Sequence, residues 1–157
     1  MLVVLRAMTP AAADAILAGD RPSEVRLADD YPTEFSADVA QGVRGAGRLG
    51  PFFVQRREDE VVVGEIGGAF VAEATVEIGY AIVASQWNRG YATAAVEALV
   101  TKARATPAVR RIVAHTPLER PRSGRVLEKA GFVRVRETED VDEAGGILLV
   151  EEWELLL

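Results

Sequence analysis

The stretch "WNRGYA", residues 87–92, sets an Asn, an Arg and a Gly where an alternating apolar run gives way to an Ala-rich helical pattern. The first amides of a helix have no acceptor inside it, and the aligned peptide dipoles add a partial positive charge there. A glycine at the bend lets backbone come close to a ligand and take a dihedral that other residues avoid. The chemistry on offer is anion binding, typically of a phosphate. Trp87, Asn88, Arg89, Gly90, Tyr91 and Ala92 would hold a diphosphate through their backbone, and Arg89 would add a charge. The same residues also read as a plain strand-to-helix connection with a convenient glycine. Neither GxxxxGK[ST] nor GxGxxG occurs.

Few other groups could carry a reaction. There is no cysteine, which excludes disulfides, thiolate metal sites and a cysteine nucleophile. The one histidine, His115, cannot build a metal site alone, although carboxylates could join it, and no metal is assigned. The chain of 157 residues, 49% hydrophobic and 27% charged, is expected to form a single domain over 1–157 with a sizeable core. No apolar run reaches membrane-spanning length. The start "MLVVLRAMTPAAADAILAG" is interrupted by Arg6 and Asp14 and lacks the basic opening and continuous apolar core of a signal peptide. The expectation is a cytoplasmic protein with no membrane partner. A formal net charge of −6 and a pI of about 4.9 argue against a nucleic-acid partner and mildly favour a cationic substrate such as an amine.

These groups need elements to position them. "LVVLRAM" reads as a strand. "TPAAADAILAG" reads as a helix with Thr9 as N-cap, Pro10 at the first helical position and Gly19 at the end. Residues 20–33 read as a loop and roughly 34–44 as a second helix opening at Thr33 and Glu34, after which "GAGRLG" breaks the chain. "PFFVQRRED" and "EVVVGEIGG" read as an antiparallel pair turning at about Asp59, and "TVEIGYAIV" as the fourth strand. Residues 90–105 read as a helix with Ala92, Ala95, Val96, Leu99 and Ala103 on one face. "VRRIVAHT" is a fifth strand. "SGRVLEKA" is a short helix with Ser123 as N-cap and Gly131 as its stop. Two strands, "FVRVRETED" and "GILLVEEWELLL", close the chain. The strand–helix–strand unit at 75–116 calls for a right-handed crossover and a parallel pair. The fold class is therefore a mixed, mostly antiparallel α/β sheet with about four helices. Along the fourth strand, Thr75, Glu77, Gly79, Ala81 and Val83 share one face. The small residues at its middle make room either for a ligand or for a packed helix.

The run "EIGYAIVASQWNRGYATAAVEALV", followed by "RIVAHT" and "SGRVLEKAGF", resembles the GNAT superfamily of acyl-CoA-dependent N-acyltransferases, nearest to the ribosomal-protein N-terminal acetyltransferase-like branch. In the family pattern Gln/Arg-x-x-Gly-x-Gly/Ala, Gly90 and Ala92 fill the last two positions. Trp87 stands where the family most often has Gln or Arg, at a position expected to contribute mainly backbone. The resemblance covers residues 60–135 well.

What the resemblance implies can be placed residue by residue. The fourth and fifth strands would splay, and the pantetheine arm of acetyl-CoA, the co-substrate, would lie in the gap against the backbone of Ile82, Val83 and Ala84. The diphosphate would sit on residues 87–92. Arg120 falls where the family has a cofactor-contacting Asn and could instead reach a phosphate. The reaction implied is acetyl transfer from acetyl-CoA to a primary amine, on a small molecule or a peptide N-terminus, by direct attack. It needs a base, for which Glu77 and His115 are the candidates. Histidine ordinarily titrates near ~6.5, which suits base work close to neutrality. Each also reads as a structural residue: an exposed strand-end Glu and a half-buried His bonded to backbone. The family's acid, a Tyr on the fourth helix, is replaced by Leu127. Ser123 could instead bond the sulfur, or serve only as a helix cap. Tyr31 and Glu34 would face the amine, or belong to a surface loop.

A second reading is a non-catalytic acyl-CoA-binding regulatory protein on the same fold, suggested by the missing Tyr and Asn. A third is a structural or partner-binding protein. The apolar tail "ILLV…WELLL" reads either as an edge that pairs with a second copy, giving a homodimer, or as an interior strand of the chain's own sheet.

Overall fold

The computed structural model describes residues 1–44, 48–142 and 144–157. The chain opens with β1 (Val3–Ala7) and α1 (Pro10–Leu17). The hydroxyl of Thr9 accepts from the amide of Ala12 at 3.1 Å, the cap that its sequence position predicts. The segment expected to be a loop contains a two-residue strand, β2 (Arg26–Leu27), which runs parallel to the start of β4 (Val61–Ala72). The second helix is shorter than expected: α2 spans Ser36–Gln41 and passes into a 3-10 turn at Gly42–Arg44. The Thr33 hydroxyl accepts from the amide of Phe35, the N-cap residue, at 3.2 Å and donates inward to Glu65. Of the predicted break at "GAGRLG", residues 45–47 lie outside the described residues, and β3 (Arg48–Arg56) already includes 48–50.

The remaining elements are β5 (Thr75–Ile82), α3 (Tyr91–Arg104), β6 (Arg111–Pro117), α4 (Pro121–Lys129), β7 (Val133–Val141) and β8 (Ile147–Leu156). The sheet order is β1-β3-β4-β5-β6-β8-β7, antiparallel along this path except between β5 and β6. That parallel pair holds over three rungs only: Thr75↔Arg111, Val76↔Ile112 and Glu77↔Val113. β5 continues to Ile82 and β6 to Pro117 without pairing. The two strands therefore part beyond Glu77, as the resemblance implies.

α3 buries Ala95, Val96, Leu99 and Ala103, four of the five residues read onto its apolar face. They join Val76 and Ile78 of β5, Ile112 of β6 and Leu127 of α4 in one core. Each fully buried Leu or Val contributes about 1.5–3 kcal/mol, so packing on this face, more than helix propensity, holds α3 in place. The opposite face of β5 is open at its middle, where a Cβ built at Gly79 would meet nothing within 4 Å, and closed at Thr75 and Val83, which are buried. The small residues there do not accommodate a packed helix.

The apolar tail is an interior strand. β8 pairs with β6 on one side and β7 on the other, so it offers no free edge to a second copy. Burial accounts for Val150 and Trp153, whereas Ile147, Leu149 and Leu156 of the same strand are exposed.

Candidate active site

The turn between β5 and α3 is built on two left-handed residues, Asn88 (φ 60°) and Gly90 (φ 84°). Trp87's amide donates to the carbonyl of Ala84 at 3.3 Å, and the next turn-closing bond runs from Ala94 to Gly90. Between them, Asn88 to Thr93 present six amides with no backbone acceptor among the described residues. The run of unbonded amides thus starts one residue later than the cradle predicted from Trp87. Its backbone requires glycine for conformation rather than space. A Cβ at Gly90 would touch only Leu2, at 3.4 Å, yet the positive φ disfavours any side chain.

A cavity of about 470 Å³ lies against this turn. Its opposite wall is α4, which contributes Arg122, Arg125 and Lys129. Their spacing, i, i+3 and i+7, puts three cations on one helix face. Sequence reading missed them, although the spacing stands in "RSGRVLEK". The reason is local: the helix begins at Pro121, with Arg120 flanking it, not at Ser123. Ser123 lies inside the first turn and caps nothing.

A larger cavity, about 700 Å³, adjoins it. The end of β5 forms one wall, the segment 30–35 a second, and the start of α4 a third. The alternation of the antiparallel β4–β5 ladder decides which backbone groups face this space. Val83's amide donates to Val63 at 2.8 Å, and Ala81's carbonyl points at Gly64. Tyr80 and Ile82 therefore turn their N–H and C=O towards the gap left by β6. Of the three residues expected to bond a ligand through backbone, Val83 is occupied by β4, and the carbonyl of Ala84 is taken by Trp87's amide. Ile82 has its carbonyl filled by the Trp87 indole, whose Nε1 donates at 2.7 Å. Trp87 lines both cavities, and the Arg122 guanidinium sits 4.0 Å from its ring centroid. Trp87 therefore contributes a side chain here, not only backbone.

A family profile described as an acetyltransferase (GNAT) domain matches residues 3–133. The chain belongs to this family. Comparison with curated proteins gave no match. Among solved structures, a GNAT-family acetyltransferase from Bacillus anthracis superposes with a TM-score of 0.71 at 20% identity, covering 99% of this chain and 95% of that one. A chimera of the spermidine N-acetyltransferase SpeG from Vibrio cholerae gives 0.73 at 16%, over 99% and 96%. A Vibrio cholerae protein provisionally assigned as a ribosomal-protein-serine acetyltransferase gives 0.73 at 17%, over 100% and 95%. At these identities the structural likeness is one of fold. No helix among the described residues is long and apolar enough to cross a membrane.

In this GNAT domain the predicted site residues divide into three groups. Glu77 and His115, weighed separately as bases, form one pair: Nδ1 of His115 lies 2.7 Å from Oε1 of Glu77. Nε2 of the same ring lies 3.4 Å from Glu152, which Arg136 engages at 3.0 Å. The pair sits at the last rung between β5 and β6, with Glu77 on it and His115 two residues beyond, on the face that Gly79 leaves open, and neither residue is in the wall of the larger cavity.

Arg120 and Glu34 form the second group. They bond each other at 2.6 Å across the larger cavity, with Arg120 5.8 Å from the Phe35 ring centroid. Arg120 is thus directed at the segment 30–35, not at the turn that would hold phosphates. Ser123 lines the same cavity and accepts the Tyr80 hydroxyl on its carbonyl at 2.8 Å. Tyr80, which sequence reading passed over, brings a phenol to the place where Leu127 cannot: Leu127 is fully buried in the core. Burial pushes the Tyr80 phenol above its ordinary range, against the pull of that bond.

Tyr31 stands alone. It is buried, packs edge-on against Phe53 at 6.3 Å and does not reach the cavity. It belongs instead to a buried polar cluster around Glu65 of β4. Oε1 of Glu65 accepts from the hydroxyls of Thr33 and Ser36. Oε2 and the Tyr31 hydroxyl are buried without a hydrogen-bond partner among the described residues. Burial pushes Glu65 above the ordinary carboxylate range, although the bonds from Thr33 and Ser36 pull it down. The cluster ties the 31–36 segment to the sheet.

Proposed function

We propose that this chain transfers an acetyl group from acetyl-CoA to a primary amine, by direct attack of the amine. The observation that carries the reading is the run of unbonded amides at 88–93 facing the cations Arg122, Arg125 and Lys129. Converging N–H groups, a helix dipole and three positive charges suit the phosphates of a coenzyme. The left-handed glycine fits the same use, since a side chain there would strain the backbone that forms the cradle.

Acetyl-CoA supplies the activated thioester. The chain's own groups do the rest. The edge amides of Tyr80 and Ile82 face the gap and can receive the charge that builds on the carbonyl oxygen. Glu77 and His115, coupled at 2.7 Å, take the proton from the amine directly or through water, with Glu152 steadying the far side of the ring. Tyr80 and Ser123 meet at the start of α4: the Ser123 hydroxyl can bond the departing sulfur, and the Tyr80 hydroxyl can do so by giving up its bond to the Ser123 carbonyl. Glu34 and Arg120 border the acceptor side of the cavity. No covalent enzyme intermediate is needed.

The test is calorimetric titration with acetyl-CoA, followed by thiol release with a panel of amines. The panel includes spermidine and short peptides with free N-termini, chosen from what the structural neighbours are named for. Binding and turnover support the proposal. Binding without turnover across the panel favours the regulatory reading, and no binding removes both.

A further inference from the structure

Trp87 stands at the border of the two cavities and, with Ile82, Ala92, Arg122, Arg125 and Val126, lines both. Its indole is not loose, since Nε1 holds the carbonyl of Ile82 at 2.7 Å and Arg122 covers the ring. Yet the residue is 45% exposed, so core packing does not lock it. Ile82 is one of the two residues at the end of β5 whose backbone faces the gap. Any ligand lying along this edge as an added strand must offer an N–H to that carbonyl. The indole already supplies one. An acyl-CoA carries amide N–H groups in its pantetheine arm, so ligand and indole compete for a single acceptor. Arg122 is in the same position: while stacked on the ring, it is withheld from a phosphate in the neighbouring cavity.

We propose that Trp87 is a latch on the coenzyme groove, closed in the free protein by the Ile82 carbonyl and the Arg122 guanidinium, and displaced when acetyl-CoA binds. The inference rests on the acetyl-CoA reading given above and deepens it. Displacement breaks one hydrogen bond and one cation–π contact and releases both partners to the ligand. The latch thus keeps the β5 edge satisfied in the free protein, at a cost in affinity.

The experiment uses acetyl-CoA as probe, with wild type and Trp87→Phe. Phenylalanine keeps a ring under Arg122 and removes the donor. The only other tryptophan, Trp153, is buried and donates to Thr116 at 2.9 Å, so it supplies a constant background. The expected results are a saturable change in wild-type tryptophan emission with the calorimetric midpoint, no such change in Trp87→Phe, and binding roughly fivefold tighter in the variant. Heat on titration with unmoved emission overturns the latch and leaves the acetyl-CoA reading standing. So does an affinity in Trp87→Phe that is equal to or weaker than wild type. No heat in either protein overturns both.

Discussion

His115 and Glu77 are joined at 2.7 Å across the place where β5 and β6 stop pairing. Two residues that sequence reading could only weigh as rivals form one unit, because a parallel register puts the side chains of residues 38 apart on the same face. A unit of this kind predicts coupled kinetics. Glu77→Gln and His115→Ala should each lower kcat by roughly 10²-fold or more. The double variant should be little worse than the poorer single one, since removing either member disables the pair. Losses that multiply, measured by thiol release at saturating acetyl-CoA, would mean that the two act separately.

Gly90→Val should remove acetyl-CoA binding while the fold survives. Valine at φ 84° is strained by about 1–3 kcal/mol, and the local relief is to turn the 88–93 amides away from convergence. Circular dichroism should match wild type, and calorimetry should show affinity reduced more than tenfold. Unchanged affinity would sink the cradle.

The three cations of α4 should act on the coenzyme and not on the amine. Arg125→Ala and Lys129→Ala should each raise KM for acetyl-CoA several-fold at low salt and leave KM for the acceptor unchanged. Both residues are exposed, so the difference from wild type should shrink as salt is raised. A defect that persists at high ionic strength would point to lost packing instead.

Glu65 makes the stability of the fold depend on pH. Burial raises its folded pKa above the unfolded value. The stability that this contributes is complete below the ordinary carboxylate range and is lost as pH rises through the folded value. Glu65→Gln keeps the shape without the titration. Its melting temperature relative to wild type should therefore become more favourable from pH 5 to pH 8. Glu65→Ala leaves the Thr33 and Ser36 hydroxyls without their acceptor and should cost about 1–3 kcal/mol. A wild-type–Gln difference that stays flat with pH would show that Glu65 does not titrate in this window.

Leu127→Tyr should not install a catalytic acid. Leu127 is fully buried against the core, and a larger, polar side chain there should overpack it by about 1–3 kcal/mol. Urea unfolding should show the loss, and turnover per folded molecule should not rise.

Much of this fold is legible in the sequence. The period of "YATAAVEALVTKAR" and the glycine before it announce α3 and its amide-rich start, because a long amphipathic repeat and a left-handed turn both leave strong local marks. β2 leaves none. Two residues cannot form a strand by propensity, and Arg26–Leu27 are held by the adjacent start of β4. Reading α4 from Ser123 hid the basic face, since a two-residue error at a helix start breaks the link between Arg122 and its neighbours. The engagement of Trp87 with Ile82, and of Arg120 with Glu34, depends on rotamers and on distant segments, which no local pattern encodes. Glu65 was passed over because a carboxylate in "VVVGEIGG" looks like an ordinary exposed strand residue until Thr33 and Ser36 are folded over it.

The three rungs between β5 and β6 divide the sheet into two leaves, β1-β3-β4-β5 and β6-β8-β7, sewn along a short seam. Beyond that seam the two leaves have no rung between them, so a mouth lies open there. A guest wedged there strains Thr75–Glu77 and Arg111–Val113 without touching most of them. Deuterium uptake at those few amides is therefore where occupancy of the distant cradle should first be felt.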